Sequence, residues 1–116
     1  LIVKAEARAD ELGIAVSIAI VDKQGTLVAT GGGASPGAND GAAADKAYSA
    51  AMFERATAQL NERLLSAAPG DVDKSRLVLE PGGIPFGRPY VTGAIGIAGS
   101  TPKQDHECGR AAITAS

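Results

Sequence analysis

The most constraining stretch of the sequence is its end, from Tyr90 to Ser116, which combines a strand, a glycine-lined turn and a helix start. The residues from Tyr90 to Ala98 are mostly apolar or small, which predicts a strand covered on both faces. Gly93, Gly96 and Gly99 recur every third residue, a spacing that matches neither the dinucleotide-binding motif nor the P-loop. Such glycines mark a bulge, or a place where another backbone or a ligand approaches closely.

The start of the last helix is the clearest local signal. Thr101 is placed to act as N-cap, Pro102 occupies the first helical position, and Gln104 completes a capping box three residues after the cap. Asp105 adds negative charge in the first turn, where it complements the helix dipole. We therefore predict a terminal helix over Pro102–Thr114.

Length and composition limit the classes of protein. The 116 residues are expected to form one domain, 1–116, with a core of its own. A net charge of −2, 3% aromatic residues and no Trp argue against a nucleic-acid partner. Cys108 is the single cysteine and cannot form an internal disulfide.

No apolar run is long enough to cross a membrane, so neither a membrane partner nor a signal peptide is expected. These features predict a cytoplasmic protein. The sequence begins at Leu1, already inside a helix, so a preceding segment is expected and the location is provisional.

The first third of the chain has a clear order of elements. Leu1–Leu12 alternates small and charged residues as an amphipathic helix does, and Gly13 is its natural C′ residue. Ile14–Val21 and Thr26–Thr30 are predicted strands, and the turn Asp22-Lys23-Gln24-Gly25 joins them into a hairpin.

The middle of the chain contains a loop, two helices and two short strands. The predictions are a mobile loop over Gly31–Gly41, an alanine-rich helix over Gly41–Arg55 capped by Asn39 or Asp40, a helix over Ala58–Ala67 capped by Thr57, and strands at Arg76–Leu79 and Ile84–Phe86.

This order of elements defines the fold class. Strands joined by short turns must be antiparallel, and the helices come in blocks instead of alternating with strands. The sequence therefore predicts an α+β fold in which helices cover an antiparallel sheet.

Two strings near the end carry a family resemblance: Gly82-Gly83-Ile84-Pro85, and the run from Gly93 to Asp105 (GAIGIAGSTPKQD). Together with Val16–Asp22, Asp45-Lys46-Ala47 and the segment Phe53–Thr57 (FERAT), they closely resemble the GlcG/HbpS family. That family also supplies the C-terminal domain of PduO-type corrinoid adenosyltransferases. The resemblance covers nearly the whole chain.

The resemblance implies a profilin-like α-β-α fold, with a central antiparallel sheet of about five strands, and assembly into dimers or larger homo-oligomers. It also implies binding of heme or another small molecule. Fold is better determined than chemistry by such a resemblance.

Three residues are candidates for acid-base chemistry. Lys46 lies among alanines on a helix, where a partly desolvated lysine suits base or Schiff-base chemistry; the alternative is a lysine paired with Asp45 or Asp22. Asp22 and Glu80 stand at predicted strand ends, where a carboxylate can act as a catalytic base. The alternative for Asp22 is a residue that stabilises its own turn, and the alternative for Glu80 is a solvated loop residue.

Six residues are candidates for contacts with a ligand. Arg88 has the donor geometry to clamp a carboxylate such as a heme propionate, and two tyrosines carry hydroxyl groups that can donate to a ligand. Three glycines leave room for a ligand to approach. The full set is Tyr48, Gly82, Gly83, Arg88, Tyr90 and Gly93.

A heme iron needs an axial ligand, and His106 is the only histidine. The alternatives are Tyr48, Tyr90, Met52 and Cys108. His106 and Cys108 are two residues apart on one helix, so they point in different directions and cannot share a metal. A histidine in the polar first turns of a helix is also commonly a surface residue.

The leading hypothesis is a small-molecule-binding homo-oligomer, with heme or a related tetrapyrrole as the first ligand to test. The alternative is a catabolic or biosynthetic enzyme performing proton transfer on a small carbonyl or hydroxy compound, with Lys46 and a carboxylate as acid and base. A structural accessory subunit is a third interpretation.

Overall fold

The computed structural model describes residues 1–32, 39–87 and 89–114. Four α-helices, two 3₁₀ turns and four strands follow each other in the described chain. They are α1 (Ile2–Leu12), β1 (Ser17–Asp22), β2 (Leu27–Gly32), α2 (Asp40–Phe53), a 3₁₀ turn (Thr57–Gln59), α3 (Glu62–Ser66), a 3₁₀ turn (Lys74–Arg76), β3 (Gly83–Phe86), β4 (Gly93–Ala98) and α4 (Pro102–Thr114).

The four strands form one antiparallel sheet in the order β2-β1-β4-β3. Strand β4 is central and is completely buried, as its apolar run predicts. The α+β, profilin-like fold class is therefore confirmed, with four strands among the described residues instead of about five.

The two faces of the sheet carry different side chains. Ile18, Ile95 and Ile97 point to one face and form the main core with Ala5 of α1 and Cys108 of α4. Because strand side chains alternate between faces, the intervening residues of β1 and β4 face α2 on the other side. Those residues are small or compact and pack against the alanines of α2: Ala19, Val21, Ala94, Gly96 and Ala98. The result is three layers, α1/α4, sheet and α2.

The predicted ends of the first and last helices are confirmed. Gly13 ends α1 in the left-handed conformation with φ 70°, and α4 begins at Pro102. The N–H of Gln104 donates to Thr101 Oγ1 at 3.2 Å, and Thr101 Oγ1 donates to Gln104 Oε1 at 3.2 Å. The turn of the first hairpin is also as predicted, with Gly25 N donating to Asp22 O at 2.9 Å.

The predicted helix over Ala58–Ala67 is wrong in its start and length. A 3₁₀ turn comes first, and the short helix α3 is capped by Asn61, whose Oδ1 accepts from Leu64 N at 2.9 Å. Thr57, the predicted cap, is buried, and its Oγ1 accepts from Gly83 N at 2.9 Å. The Thr57 hydroxyl therefore bonds to a residue distant in the sequence instead of capping the helix that follows it.

The predicted strand at Arg76–Leu79 is also wrong. Its backbone bonds to a helix side chain instead of a neighbouring strand: Val78 N donates to Ser49 Oγ at 2.9 Å, and Ser49 Oγ donates to Arg76 O at 3.4 Å. The alanine-rich helix is confirmed as α2, Asp40–Phe53, with Asn39 in the cap position but with no capping hydrogen bond from its side chain. Most of the predicted loop Gly31–Gly41 lies outside the described residues, although Gly31 and Gly32 belong to β2. Among the helices of the described ranges, none is long and apolar enough to span a membrane.

Candidate functional site

Lys46 belongs to α2, and its side chain is directed toward β4 and the start of α4; the residue is 3% exposed. Its Nζ donates to the main-chain oxygen of Ile97 at 2.9 Å and to Asp105 Oδ2 at 3.1 Å. The ion pair that Lys46 forms is thus with Asp105, and neither Asp45 nor Asp22 is its partner in it.

Asp105 is 2% exposed and is held from two sides. One carboxylate oxygen accepts from Lys46, and the other accepts from Ser100 N at 3.1 Å. The sequence pattern predicts only a helix-dipole role for Asp105, so this ion pair was missed. A signal was present, because Asp105, Cys108 and Ala112 are spaced three and four residues apart and share the buried face of α4.

Two of the candidate glycines lie against Lys46. A Cβ on Gly82 would come within 2.4 Å of Ile97 O and 2.9 Å of Lys46 Cδ. A Cβ on Gly83 would lie 2.2 Å from the main-chain oxygen of Lys46. Gly93 is similar, since a Cβ there would be 2.4 Å from Val21 O. Protein atoms occupy the space beside all three glycines, and their roles as ligand contacts stay predictions.

The two candidate tyrosines have different environments. Tyr48 is 6% exposed, its hydroxyl oxygen accepts from Asp73 N at 2.8 Å, and the guanidinium of Arg76 lies 4.1 Å from its ring centroid. Tyr90 is 80% exposed. Tyr48 therefore joins α2 to the segment after α3, and Tyr90 stands at the surface.

The two candidate carboxylates are not joined to Lys46 by an ion pair. Asp22 Oδ1 accepts from Gln24 N and Thr26 N, each at 2.9 Å, which is the turn-stabilising role expected of it. Glu80 is exposed. Arg88 lies outside the described residues. The catalytic roles of Lys46, Asp22 and Glu80 stay predictions, and no proton-transfer site is assembled from them in this arrangement.

A cavity of about 510 Å³, largely open to solvent, lies instead on the outer side of α4, next to α1. This volume is within the range of small-molecule pockets, ~300–1,000 Å³. Six residues line it, and we call it the α1/α4 cavity: Arg8, Lys103, His106, Glu107, Arg110 and Ala111. Arg8 forms an ion pair with Glu107 across the two helices, and a second with Glu11 at 3.1 Å. The cavity therefore combines one imidazole with several charged groups.

His106 is the sequence candidate that the structure places in this cavity. The ring is partly buried, and its Nδ1 is fully buried with no hydrogen-bond partner. Burial lowers the pKa of His106, and the nearby charge of Arg110 lowers it further. Both effects favour the neutral imidazole, which is the form that binds a metal ion.

Cys108, two residues further along α4, has no such access. It is 0% exposed in the main core. Burial raises the pKa of its thiol, and the charges of Asp105 and Glu107 raise it as well. Within the part of the chain that the structure describes, no three His, Cys, Asp or Glu side chains lie together as a metal site.

Solved structures of known proteins share this architecture. HbpS is 30% identical, with a TM-score of 0.80 over 98% of this chain and 82% of that one. PduOC, solved as a complex with heme, is 28% identical, with a TM-score of 0.78 over 97% of this chain and 86% of its own. ORFY from Klebsiella pneumoniae is 22% identical and has a TM-score of 0.81 over 97% of this chain and 81% of that protein, a likeness of fold alone.

Sequence comparison with curated proteins found no match. A family model described as haem degrading protein HbpS-like matches residues 1–114. This match extends over nearly the whole chain and includes every element of the fold described above. The chain therefore belongs to the HbpS-like family.

Proposed function

We propose that this protein binds heme or a closely related tetrapyrrole in the α1/α4 cavity. The observation that carries the proposal is His106, the only histidine of the sequence, which lines the cavity and has a lowered pKa. The relatives support the same ligand class, since PduOC was solved with heme and the family model names haem. The residues that line the cavity support a role in binding this ligand.

The chemistry of His106 fits an axial ligand. A neutral imidazole offers a lone pair to iron, and histidine is a common protein ligand of heme. Because Nδ1 is buried, Nε2 is the ring nitrogen left for an iron that approaches from the cavity. Bound heme would supply an iron centre for redox or ligand-binding chemistry, while this chain would hold and orient it.

The charge of the cavity fits the same ligand. The lining residues contribute three cations, Arg8, Lys103 and Arg110, and one carboxylate, Glu107. The whole protein has a net charge of −2, so this positive region is local and not a general property of the surface. Heme carries two propionate groups, and arginine binds carboxylates with paired donors.

The test is a heme titration of the purified protein followed by its visible spectrum. We expect a saturable Soret shift in the wild type, and a changed spectrum with weaker binding in His106→Ala. Added imidazole should restore the wild-type spectrum in that variant, because the small ligand fills the space of the missing ring. Tyr90→Phe is the control, since Tyr90 is 80% exposed and does not line the cavity.

Two results would overturn the proposal. One is the absence of saturable binding by the wild-type protein. The other is an unchanged spectrum and affinity in His106→Ala, which would show that His106 is not the axial ligand and that the α1/α4 cavity does not have the proposed role.

We also propose that the protein is a homo-oligomer that pairs through β2. This strand lies at the edge of the sheet and exposes Leu27 (50%) and Val28 (60%). An edge strand can pair with the same strand of a second copy across a two-fold axis, which extends the sheet and covers such side chains.

Light scattering coupled to size exclusion tests this assembly. Val28→Lys should shift the protein toward the monomer, because a charge on the edge strand opposes pairing. Val3→Lys, on α1 and 76% exposed, is the matched control and should leave the mass unchanged. A wild-type monomer at all concentrations would contradict the proposal.

A further inference from the structure

The α1/α4 cavity contains a carboxylate of its own beside the groups that would bind an acidic ligand. Glu107 follows His106 directly on α4, and its side chain is ion-paired with Arg8 of α1. Both residues line the cavity. Their side chains are 32% (Arg8) and 40% (Glu107) exposed, so the pair lies at the solvent-facing rim.

This pair places Glu107 in competition with a ligand carboxylate. A guanidinium binds a carboxylate through its N–H donors, and Arg8 Nη2 already donates to Glu107 Oε1. A part-exposed ion pair is weak and can exchange partners readily. Glu107 acts in two ways at once, because it occupies Arg8 and its negative charge repels an incoming anion.

We propose that Glu107 sets the selectivity of this cavity for the charge of its ligand, by holding Arg8 until a carboxylate of a planar dicarboxylate ligand replaces it. The inference rests on the proposed tetrapyrrole function and adds the class of ligand, a tetrapyrrole with free acid side chains, and the residues that recognise it. Arg8 is the recognising group, and Glu107 limits how tightly it does so.

A second glutamate provides a matched control. Glu11 also pairs with Arg8, at 3.1 Å, but it does not line the cavity and its side chain is 65% exposed. Glu107→Gln and Glu11→Gln therefore remove the same charge and one partner of the same arginine. Only the first removes a carboxylate from the cavity wall.

The experiment compares two probes, an iron porphyrin with free propionates and its dimethyl ester, each titrated into wild type and variants. Glu107→Gln should bind the free acid about three- to fivefold more tightly, the range expected of one part-exposed ion pair, and bind the diester as the wild type does. Arg8→Gln should weaken binding of the free acid by a similar factor and leave the diester unchanged. Glu11→Gln should keep the wild-type ratio between the two probes.

Increasing salt should reduce the difference between the probes in every protein that retains Arg8, since the groups are partly exposed. Thermal melts of each variant establish that it is folded before titration. The inference is overturned if Glu107→Gln leaves the ratio between the probes unchanged, or if it strengthens both probes equally. An increase in Glu11→Gln as large as that in Glu107→Gln would also overturn it, because the effect would then be one of general charge.

Failure of the proposed function gives a different result. In that case the wild-type protein binds neither probe, and the inference falls with it. Saturable binding of both probes, lost or altered in His106→Ala but with no preference between acid and ester in any variant, supports the function and rejects the role of Glu107.

Discussion

Lys46 and Asp105 form a buried ion pair that joins α2 to the start of α4. Their side chains are 4% and 3% exposed, so both charges are removed from water and each depends on the other. Two backbone groups also form hydrogen bonds with the pair. Ser100 N donates to the Asp105 carboxylate, and Lys46 Nζ donates to Ile97 O. We interpret Lys46 as a residue that positions the start of α4, the helix that carries His106.

Breaking the Lys46–Asp105 ion pair should destabilise the folded protein. We expect Asp105→Asn to lower the free energy of unfolding by about 3–5 kcal/mol, because it leaves the Lys46 charge buried without its partner. Urea denaturation measures the change. Asp45→Asn, on the helix that carries Lys46, is the control, since the Asp45–Arg76 pair is 33% exposed on each side and its loss should cost less than about 1 kcal/mol.

The double variant Lys46→Met with Asp105→Asn sharpens this test. Removing both charges should cost less than the sum of the two single changes, because neither partner is then left alone. Additive losses would contradict the assignment of these two side chains as one electrostatic unit.

At the scale of elements, α2 packs closely against the sheet at Gly96. Gly96 of β4 makes this approach, since a Cβ there would lie 2.0 Å from Ala43 O and 2.6 Å from Ala47 N. The alanines of α2 and the small residues of β4 on that face leave little space between the helix and the sheet. The contact between α2 and the sheet is therefore largely one of backbone against backbone, with only small side chains between them.

We expect Gly96→Ala to destabilise the protein by about 3 kcal/mol, the upper part of the range for overpacking, because backbone atoms must move to admit one methyl group. Gly41→Ala is the matched control in α2. Nothing lies within 4 Å of a Cβ at Gly41, and alanine is the better helix former, so a gain of about 0.5 kcal/mol is expected. Equal effects of the two substitutions in thermal or urea unfolding would contradict this view of the packing.

At the scale of the whole molecule, one core links α1, the sheet and α4. Cys108 lies in that core at 0% exposure, and burial raises the pKa of its thiol, so the reactive thiolate is scarce in the folded protein. Being the single cysteine, it reports on the opening of the core.

We expect Cys108 in the native protein to react with a disulfide reagent only through opening of the fold. The labelling rate should rise with urea in parallel with unfolding, and should be faster in Asp105→Asn than in Asp45→Asn at the same urea concentration. Rapid stoichiometric labelling of the native wild type, at the rate of the denatured protein, would show that Cys108 is accessible and contradict the assignment.

Features that depend on neighbours in sequence were predictable. The cap at Thr101, the left-handed Gly13 and the turn at Asp22 are each set by groups within a few residues, and all three are confirmed. The apolar run of β4 and the order of helices and strands likewise determined the α+β class, because burial on both faces and short connections leave few other arrangements.

What only the tertiary structure decided are pairings between distant parts of the chain. Lys46 finds Asp105 across 59 residues, Thr57 accepts from Gly83 across 26, and Ser49 accepts from Val78 across 29. The predicted cap at Thr57 and the predicted strand near Val78 were wrong because these polar groups had better partners after the chain folded. His106 was predicted as a candidate axial ligand because it is the only histidine of the sequence. The cavity that it lines together with Arg8 exists only because α1 and α4 pack side by side. Short-range sterics and hydrogen bonding are encoded locally, but a buried polar group takes the partner that the packed core brings to it.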